Sequence, residues 1–425
     1  MKRWKKIAFT GLSALLAFSL TACNISTDQA KGEEEGDKVT ITFARGKDQT
    51  EATEKIINAF EKEHPDIDVQ LKEMPADTGT SHDQYVTMFS GGSDEIDVFD
   101  LDVVWPAEFA QAGYLEPLDR YIQRDGIHMD DYVEGAVEAA RYNGQQWAMP
   151  KFMDTGLLYY RSDIVKEPPE TWDELLQQSK EYQGTKGTKY GFIFQGKQYE
   201  GLVCNFIEYI GSYGGEVLDE QGKVAIDSED TMQGLSMMAH IAQSDMVPGN
   251  VTTITEIETD AIYGEGEAVF NRQWPYHYAV MNQESSEVKG DVEVAPLPKG
   301  DERSAPALGG WMTGINKNSD HKQEAWEFIK FMNGPKGQKI SAIEGGLAPT
   351  YMPLFDDEDV KKASPLFENE EYIQGLKAAV PRPISPAYPK ISEIIQIEVS
   401  KTLAGEQTPK EAVKRMDKKL KAVVN

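Results

Sequence analysis

One stretch near the start of the chain decides the fold: 38-KVTITFARGKDQTEATEKIINAFEKEHPDIDVQL-71. Residues 38–44 alternate between apolar and polar side chains, the period of two that is typical of a half-buried strand. Apolar residues then recur at helical spacing over 52–60, and the proline at 65 ends that helix. The alternation returns over 67–71. The stretch therefore predicts a strand, a helix and a second strand in succession.

The same succession continues beyond this stretch, with a helix predicted around 85–89 and a strand over 97–101. It predicts an α/β fold with a largely parallel sheet that is covered by helices. In such sheets, ligands bind outside the carboxyl ends of the strands. Strand-like apolar runs recur beside Gly or Pro at 156–160, 292–297 and 310–315, and we expect the chain to cross between lobes there.

The chain closes with a predicted packed helix. Thr408 and Pro409 are a suitable cap and first-turn pair. Four apolar residues then share one face of that helix: Ala412, Val413, Met416 and Leu420.

The amino-terminal residues predict where the protein resides. A basic start is followed by an apolar run over 7–20, which is shorter than the roughly 20 residues that a membrane span needs. The run ends in Leu20-Thr21-Ala22-Cys23, which resembles a lipobox. We therefore expect a signal peptide over 1–22, a lipid anchor on Cys23, a tether over 23–37, and a location on the extracytoplasmic face of the cell membrane. The alternative is an ordinary secretion signal with a chance cysteine.

Charge and cysteine content exclude several classes of function. The formal charge is −28, and removal of four basic groups with residues 1–22 would take it to −32, which excludes nucleic acid as a partner. Apart from Cys23 the chain has only Cys204, so there is no disulfide framework, and we interpret Cys204 as a buried small hydrophobe. The six histidines are scattered and predict no metal site, and we expect no cofactor.

A few polar and aromatic residues stand at positions that suit ligand contact. Asp102 ends a predicted strand, where it would either cap the following helix or face a ligand. Asp154 directly precedes the apolar run at 157–160. Trp274 and Trp311 adjoin chain-bending Pro and Gly residues and belong either to the core or to a site. Arg382 lies between two prolines, which suits either a solvated loop or a ligand contact.

Together these residue types match what a neutral sugar requires. Sugar hydroxyls donate hydrogen bonds that carboxylates accept, whereas the C–H faces of the ring are apolar and stack on aromatic side chains. An arginine nearby donates to sugar oxygens and compensates a desolvated carboxylate.

The chain resembles the trehalose/maltose-binding proteins among the family-1 extracellular sugar-binding proteins of ABC importers. The resemblance is collinear from about residue 39 to 412. It is carried by stretches that start at 100 (DLDVVW), 113 (GYLEPL), 154 (DTGLLYYR), 195 (QGKQYEGLVC), 294 (VAPLP), 308 (LGGW) and 379 (AVPRPI).

The resemblance implies a two-lobed periplasmic-binding-protein-like fold with a ligand cleft between lobes joined by three crossings. The expected limits are 38–152 and 298–350 for the amino-terminal lobe, and 153–297 and 351–425 for the carboxyl-terminal lobe. The expected partners are a disaccharide and the ABC permease, and the chain is expected to be a monomer. The resemblance also implies ligand-binding residues in the cleft: Glu51, Asp102, Phe152, Asp154, Trp274, Tyr276, Gly310, Trp311 and Arg382.

Two departures leave the choice of sugar open among trehalose, maltose and sucrose. Phe152 stands where a relative can have tyrosine, and the segment 76–82 lacks an arginine that some relatives have. Two carboxylates around a sugar would also fit a glycoside hydrolase, but the chain has no recognised hydrolase signature, and we expect no catalysis. A binder of another small glycoside or a polyol on the same scaffold is the remaining alternative.

Overall fold

Two main β-sheets and a small two-stranded one organise the part of the chain that the computed structural model describes, which is residues 38–47, 50–219 and 221–424. The predicted signal peptide, the anchor at Cys23 and the tether lie outside these described residues. The strands are β1 (Val39–Gly46), β2 (Ile67–Met74), β3 (Val98–Asp102), β4 (Arg141–Tyr142), β5 (Gln145–Gln146), β6 (Met149–Thr155), β7 (Leu157–Arg161), β8 (Tyr190–Ile193), β9 (Ala268–Gln273), β10 (Val292–Pro296), β11 (Leu308–Ile315) and β12 (Ala348–Pro349).

Helices cover these sheets and connect their strands. Within the described residues, every helix is too short or too polar to span a lipid bilayer. The helices are α1 (Ala52–Glu63), α2 (Thr78–Ser90), α3 (Pro106–Ala112), α4 (Asp119–Asp125), α5 (Glu134–Ala139), α6 (Trp172–Tyr182), α7 (Glu200–Ser212), α8 (Glu229–Ala242), α9 (Glu256–Gly264), α10 (Tyr276–Met281), α11 (Lys322–Met332), α12 (Pro335–Gly345), α13 (Glu358–Ala363), α14 (Glu370–Ala378), α15 (Tyr388–Leu403) and α16 (Pro409–Val424).

The predicted strand–helix–strand start is confirmed as β1, α1 and β2, and α1 ends directly before His64. The sequence alone therefore predicts these first three elements correctly. The terminal helix α16 is also confirmed. Thr408 Oγ1 accepts from the Glu411 N–H at 3.3 Å, and Glu411 Oε2 accepts from the Thr408 N–H at 2.9 Å. The four predicted apolar residues of α16 are buried.

The larger sheet has the strand order β12-β6-β11-β3-β1-β2, and the smaller one has the order β10-β7-β9-β8. In the larger sheet, β1 pairs in parallel with β2 and β3, but β11 is antiparallel to both β3 and β6, and β12 is antiparallel to β6. The expectation of a largely parallel sheet is thus right for β1 to β3 and wrong for the antiparallel pairs of β11 and β12. In the smaller sheet, β8 pairs in parallel with β9, whereas β7 is antiparallel to both of its neighbours. Helical crossovers impose parallel pairing on β1 to β3, whereas β11 re-enters from the other sheet and runs in the opposite direction.

Each sheet has its own hydrophobic core. Beside the larger sheet, the rings of Phe43 and Phe60 each pack edge to face on Phe328, at centroid distances of 5.3 and 5.1 Å. Beside the smaller sheet, Phe270 is fully buried in a cluster that includes Phe206 of α7. These two clusters give two lobes, one built around each main sheet, and a further cluster that contains Met153 of β6 and Tyr159 of β7 packs where the sheets adjoin.

The chain crosses between the sheets three times in the described residues. The first crossing is at Gly156, between β6 and β7, and the second runs over 297–307, between β10 and β11. The third follows β12, after which residues of α13 and α14 pack with Leu157 and Tyr159 of the smaller sheet. The crossings place the ends of several strands from both sheets around one space.

Candidate functional site

A cavity of about 410 Å³ lies where strands of the two sheets end. Gly46, at the end of β1, Pro75, directly after β2, and Asp102, at the end of β3, all line it. Trp274, directly after β9, lines it from the smaller sheet. The cavity is therefore at the carboxyl ends of these strands, as the general rule for α/β sheets predicts.

All the residues that the sequence nominated for ligand contact line this cavity except Glu51. They come together from positions up to 280 residues apart in the chain. The residues brought together are Asp102, Phe152, Asp154, Trp274, Tyr276, Gly310, Trp311 and Arg382.

Glu51 is the exception. It occupies the N-cap position of α1 without a side-chain cap bond, and its side chain is 78% exposed. One oxygen lies 3.3 Å from Lys55 Nζ, the helical neighbour four residues on. The neighbouring Thr50 lines the cavity in its place. The structure therefore does not bring Glu51 together with the other nominated residues, because its side chain lies on the helix surface, and its contact with a ligand stays a prediction.

One row of the cavity wall is fixed by strand register. Trp311 of β11 pairs with Asp102 of β3 on one side and with Phe152 of β6 on the other. Asp154 pairs with Gly309 two positions along. We call this set of residues the large-sheet wall; it consists of Asp102, Phe152, Asp154, Gly309, Gly310 and Trp311. Gly310 has φ of 132°, and a β-carbon there would stand 2.5 Å from the Phe152 carbonyl oxygen, so glycine is needed for this close approach.

Arg382 is buried and holds two carboxylates from different elements. Its guanidinium donates to both oxygens of Asp102, with 3.2 Å from Nη1 to Oδ2, and to Glu200 Oε1 at 2.8 Å. With 3% of its surface exposed, Arg382 is not the solvated loop residue that the sequence left open. Glu200 also accepts from the hydroxyls of Tyr388 and Ser392. Burial raises the pKa of Glu200, while Arg382 opposes that rise.

Asp102 does not cap the helix that follows it. The N-cap position of α3 belongs to Trp105, with no side-chain cap bond. The Asp102 carboxylate accepts instead from the Val104 N–H at 3.3 Å and from Arg382. Its orientation is thus set from two sides at the edge of the cavity.

Asp154 is the unpaired carboxylate of the wall. It is buried, and Oδ1 has no hydrogen-bond partner in the structure. Burial raises its pKa to about 7, Arg272 lowers it, and the charge of Asp102 raises it further. A hydroxyl donor that reached this oxygen would satisfy it and favour the ionised form.

A second set of residues faces the large-sheet wall from the smaller sheet, and we call it the small-sheet wall. Trp274 Nε1 donates to Glu256 Oε1 at 3.3 Å, and Tyr199 donates to Glu256 Oε2 at 2.6 Å. The Tyr276 hydroxyl donates to Asp260 Oδ2 at 2.8 Å. These residues stand in loops or at helix starts, and they are Tyr199, Glu200, Glu256, Trp274 and Tyr276.

The sequence did not nominate several residues that line the cavity. Tyr199 and Glu200 belong to a stretch that carried the family resemblance, but that stretch gave them no role. Glu256 had no signal beyond an acidic residue at a helix start. At the mouth, Lys197 Nζ lies 3.1 Å from Asp77 Oδ2, which joins the lobes. The Thr80 N–H and Lys197 hold the pKa of Asp77 below its usual value, although burial opposes this.

Comparison with known proteins places the chain among solute-binding proteins. Residues 46–339 match the family "Bacterial extracellular solute-binding protein". The "Probable ABC transporter-binding protein" of Deinococcus radiodurans is 31% identical over 399 residues, which are 90% of this chain and 93% of that protein. The "Maltotriose-binding protein" of Pyrococcus abyssi is 26% identical over 78% of this chain and 69% of its own length.

A solved structure agrees with the architecture. The maltose-bound MalE3 of T. maritima superposes with a TM-score of 0.85 at 39% identity, and the match covers 90% of this chain and 99% of that one. Its fold is the two-lobed α/β arrangement described above. The related proteins bind solutes and are not enzymes.

Proposed function

The chain belongs to the bacterial extracellular solute-binding proteins, and on that premise we propose that it captures a neutral disaccharide of the maltose or trehalose type for an ABC permease. One observation carries the proposal: a single cavity brings together the carboxylates of Asp102 and Asp154 and the rings of Trp274 and Trp311. Carboxylates accept from sugar hydroxyls, and aromatic rings cover the apolar faces of the sugar.

The size of the cavity supports a small sugar. Its volume of about 410 Å³ is at the lower end of the range of about 300–1,000 Å³ for sites that enclose small molecules. The relatives support the same class, since one is named for maltotriose and another was solved with maltose. The Phe152 ring has no hydroxyl to offer the ligand, so affinity depends more on stacking and on the carboxylates.

The proposed mechanism is a shift between open and closed arrangements of the lobes. The large-sheet wall and the small-sheet wall each contribute contacts, so a sugar that touches both stabilises the closed form. A ligand that touched one wall equally in both forms would shift nothing. The permease would then distinguish the closed form from the open one. The proposed lobe limits at residues 152, 297 and 350 divide the chain into the parts that move relative to each other. The limit at 152 lies within β6.

We infer a lipid anchor on Cys23 from the preceding Leu20-Thr21-Ala22. One acyl chain gives only marginal membrane binding, but two or more would hold the protein on the extracytoplasmic face. Mass spectrometry of the chain from membranes should find a lipidated Cys23 at the amino terminus. A Cys23→Ser variant should retain the uncleaved leader, and an unmodified mature cysteine would reject the anchor.

The function is tested on the chain from residue 24 onward with a thermal-shift panel of trehalose, maltose, sucrose, glucose, maltotriose, a glucosylated polyol and a short peptide. A ligand at 100 times its dissociation constant should add about 2.7 kcal/mol to the free energy of unfolding. Calorimetry on each hit gives the affinity, and the sugar is recovered afterwards for chromatography.

Stabilisation by one disaccharide that is recovered intact supports the proposal and identifies the ligand. Stabilisation only by the polyol or the peptide would replace the disaccharide by that ligand class. Release of a monosaccharide from the recovered sugar would contradict a pure binding role. No shift with any sugar would reject the proposed specificity.

A further inference from the structure

A buried ion pair lies behind the cavity and does not line it. Arg272 and Glu208 are each 1% exposed in their side chains, and the guanidinium faces the carboxylate with two hydrogen bonds, one of them 2.8 Å from Nε to Oε2. Arg272 Nη1 also donates to Gln195 Oε1 at 3.3 Å. Well-packed apolar residues often stabilise a core as well as or better than such a pair. A contribution to the stability of the fold therefore does not by itself explain why this ion pair is buried here.

The guanidinium of Arg272 supports a ring of the small-sheet wall. Its central carbon lies 3.9 Å from the centroid of the Trp274 ring, a stacked cation–π contact. The ring edge is confined on another side by Gly309, where a β-carbon would stand 2.9 Å from Trp274 Cζ3. Trp274 is thus held by Arg272 on a face, by Glu256 at its N–H and by Gly309 at its edge.

The carboxylate of Glu208 contacts two of the three crossings between the sheets. Oε1 accepts from the backbone N–H of Ala307, in the second crossing, at 3.2 Å. At the first crossing, a β-carbon on Gly156 would overlap Glu208 Oε1 and stand 2.9 Å from Arg272 Nη2. The pair therefore touches both the Trp274 ring and the segments that must bend when the lobes move.

We propose that Arg272 and Glu208 are positioning residues that couple the Trp274 ring to the crossings, so that a ligand stacked on this ring favours the closed arrangement. The coupling to ligand rests on the proposed function. The coupling between ring and crossing is a property of the ligand-free chain and is tested separately.

The main experiment compares Arg272→Lys with Arg161→Lys. Lysine keeps the charge but loses the planar stack and the two-point contact. Arg161 is a matched control, since it is a buried arginine of the same sheet, faces Asp163 through two bonds of 2.8 and 2.7 Å, and does not line the cavity. The readouts are the dissociation constant for maltose, the melting temperature, and hydrogen exchange of the ligand-free peptide that contains Ala307.

We expect Arg272→Lys to raise the dissociation constant for maltose at least about fivefold and to speed exchange at Ala307. Arg161→Lys should lower the melting temperature with neither effect. Acrylamide quenching of the Trp274 fluorescence is obtained as the difference between each chain and the same chain with Trp274→Phe. This quenching should increase in Arg272→Lys and should not increase in Arg161→Lys. If Arg272→Lys does not fold, Glu208→Gln is measured in the same way, because it leaves the Arg272 stack but weakens the contact with Ala307.

Equal affinity and equal exchange in Arg272→Lys and the parent chain would overturn the inference. Equal losses in Arg272→Lys and Arg161→Lys would also overturn it, since they would reduce the pair to a structural role. If the parent chain binds no sugar, the proposed function fails, and exchange at Ala307 with quenching of Trp274 still decides the coupling.

Discussion

The two walls of the cavity are built in different ways. The large-sheet wall stands on three adjacent strands, where backbone register aligns Asp102, Trp311 and Phe152. The small-sheet wall comes from loops and helix starts, where side-chain contacts such as Arg272 on Trp274 set the geometry. Because register is fixed by many backbone hydrogen bonds, we infer that the first wall tolerates the loss of one supporting side chain better than the second.

The largest effect should come from a support of the large-sheet wall, Lys151. Its ammonium lies 2.7 Å from Asp100, and both side chains are 4% exposed. Lys151→Met leaves that carboxylate buried, so the free energy of unfolding in urea should fall by about 3 kcal/mol. Maltose affinity should change little, because the register of β3, β6 and β11 remains.

The matched control is Lys151→Met combined with Asp100→Asn, which removes both charges and should recover most of the lost stability. A loss of affinity in Lys151→Met as large as in Arg272→Lys would erase the distinction between the walls.

The next effect concerns a ring of the large-sheet wall. Trp311→Ala should weaken sugar binding by more than about 2 kcal/mol, since large aromatic contacts dominate such sites. The melting temperature of the ligand-free protein should stay nearly unchanged. Calorimetry and thermal unfolding measure the two quantities.

Trp105 provides the contrast for Trp311. Its ring is 5.6 Å from the Trp311 ring but is buried and does not line the cavity. Trp105→Ala should lower stability by roughly 3 kcal/mol and affinity by less. A large fall in ligand-free stability with intact binding in Trp311→Ala would make Trp311 a core residue.

A smaller effect on the free energy of unfolding should come from Asp154, and it should depend on pH. Burial raises the pKa of this carboxyl to about 7, from the ordinary value of 3.8. The folded chain then holds the proton more tightly than the unfolded chain does. The stability contributed by this group is therefore present at low pH and is lost as the pH rises from about 4 to about 7.

Asp154→Asn removes this dependence and should stabilise the ligand-free protein by roughly 1–2 kcal/mol at pH 8. In the parent chain, maltose binding should release protons near pH 7, seen as a buffer-dependent calorimetric enthalpy. Identical stability profiles for Asp154→Asn and the parent chain would exclude a shifted Asp154.

The smallest effect should come from the pair at the mouth. Lys197 and Asp77 are 42% and 27% exposed, and such pairs contribute about 0.2–1 kcal/mol. Lys197→Ala should therefore weaken maltose binding no more than about fivefold, and less at high salt. A larger loss that salt does not reduce would make Lys197 a ligand contact rather than a contact between lobes.

The sequence predicted the large-sheet wall better than the small-sheet wall for a physical reason. Asp102 ends β3, and periodicity locates such strand ends, which meet at one edge of a sheet. Trp311 lies within β11, where strand register places it beside Asp102. Glu256 and Tyr199 become neighbours through loops whose path no periodic pattern encodes. Glu51 lies outside the cavity while the neighbouring Thr50 lines it, because consecutive side chains at a helix start point in different directions.

The sequence by itself determined the βαβ start, the capped terminal helix, the unpaired Cys204 and the residue types that suit a sugar, because these depend on local periodicity and composition. Only the tertiary structure decided the antiparallel return of β11, the burial of Arg382 between Asp102 and Glu200, and the placement of the Arg272–Glu208 pair against two crossings. These features depend on contacts between residues far apart in the chain. Their energies come from burial and charge pairing, which the order of residues does not reveal.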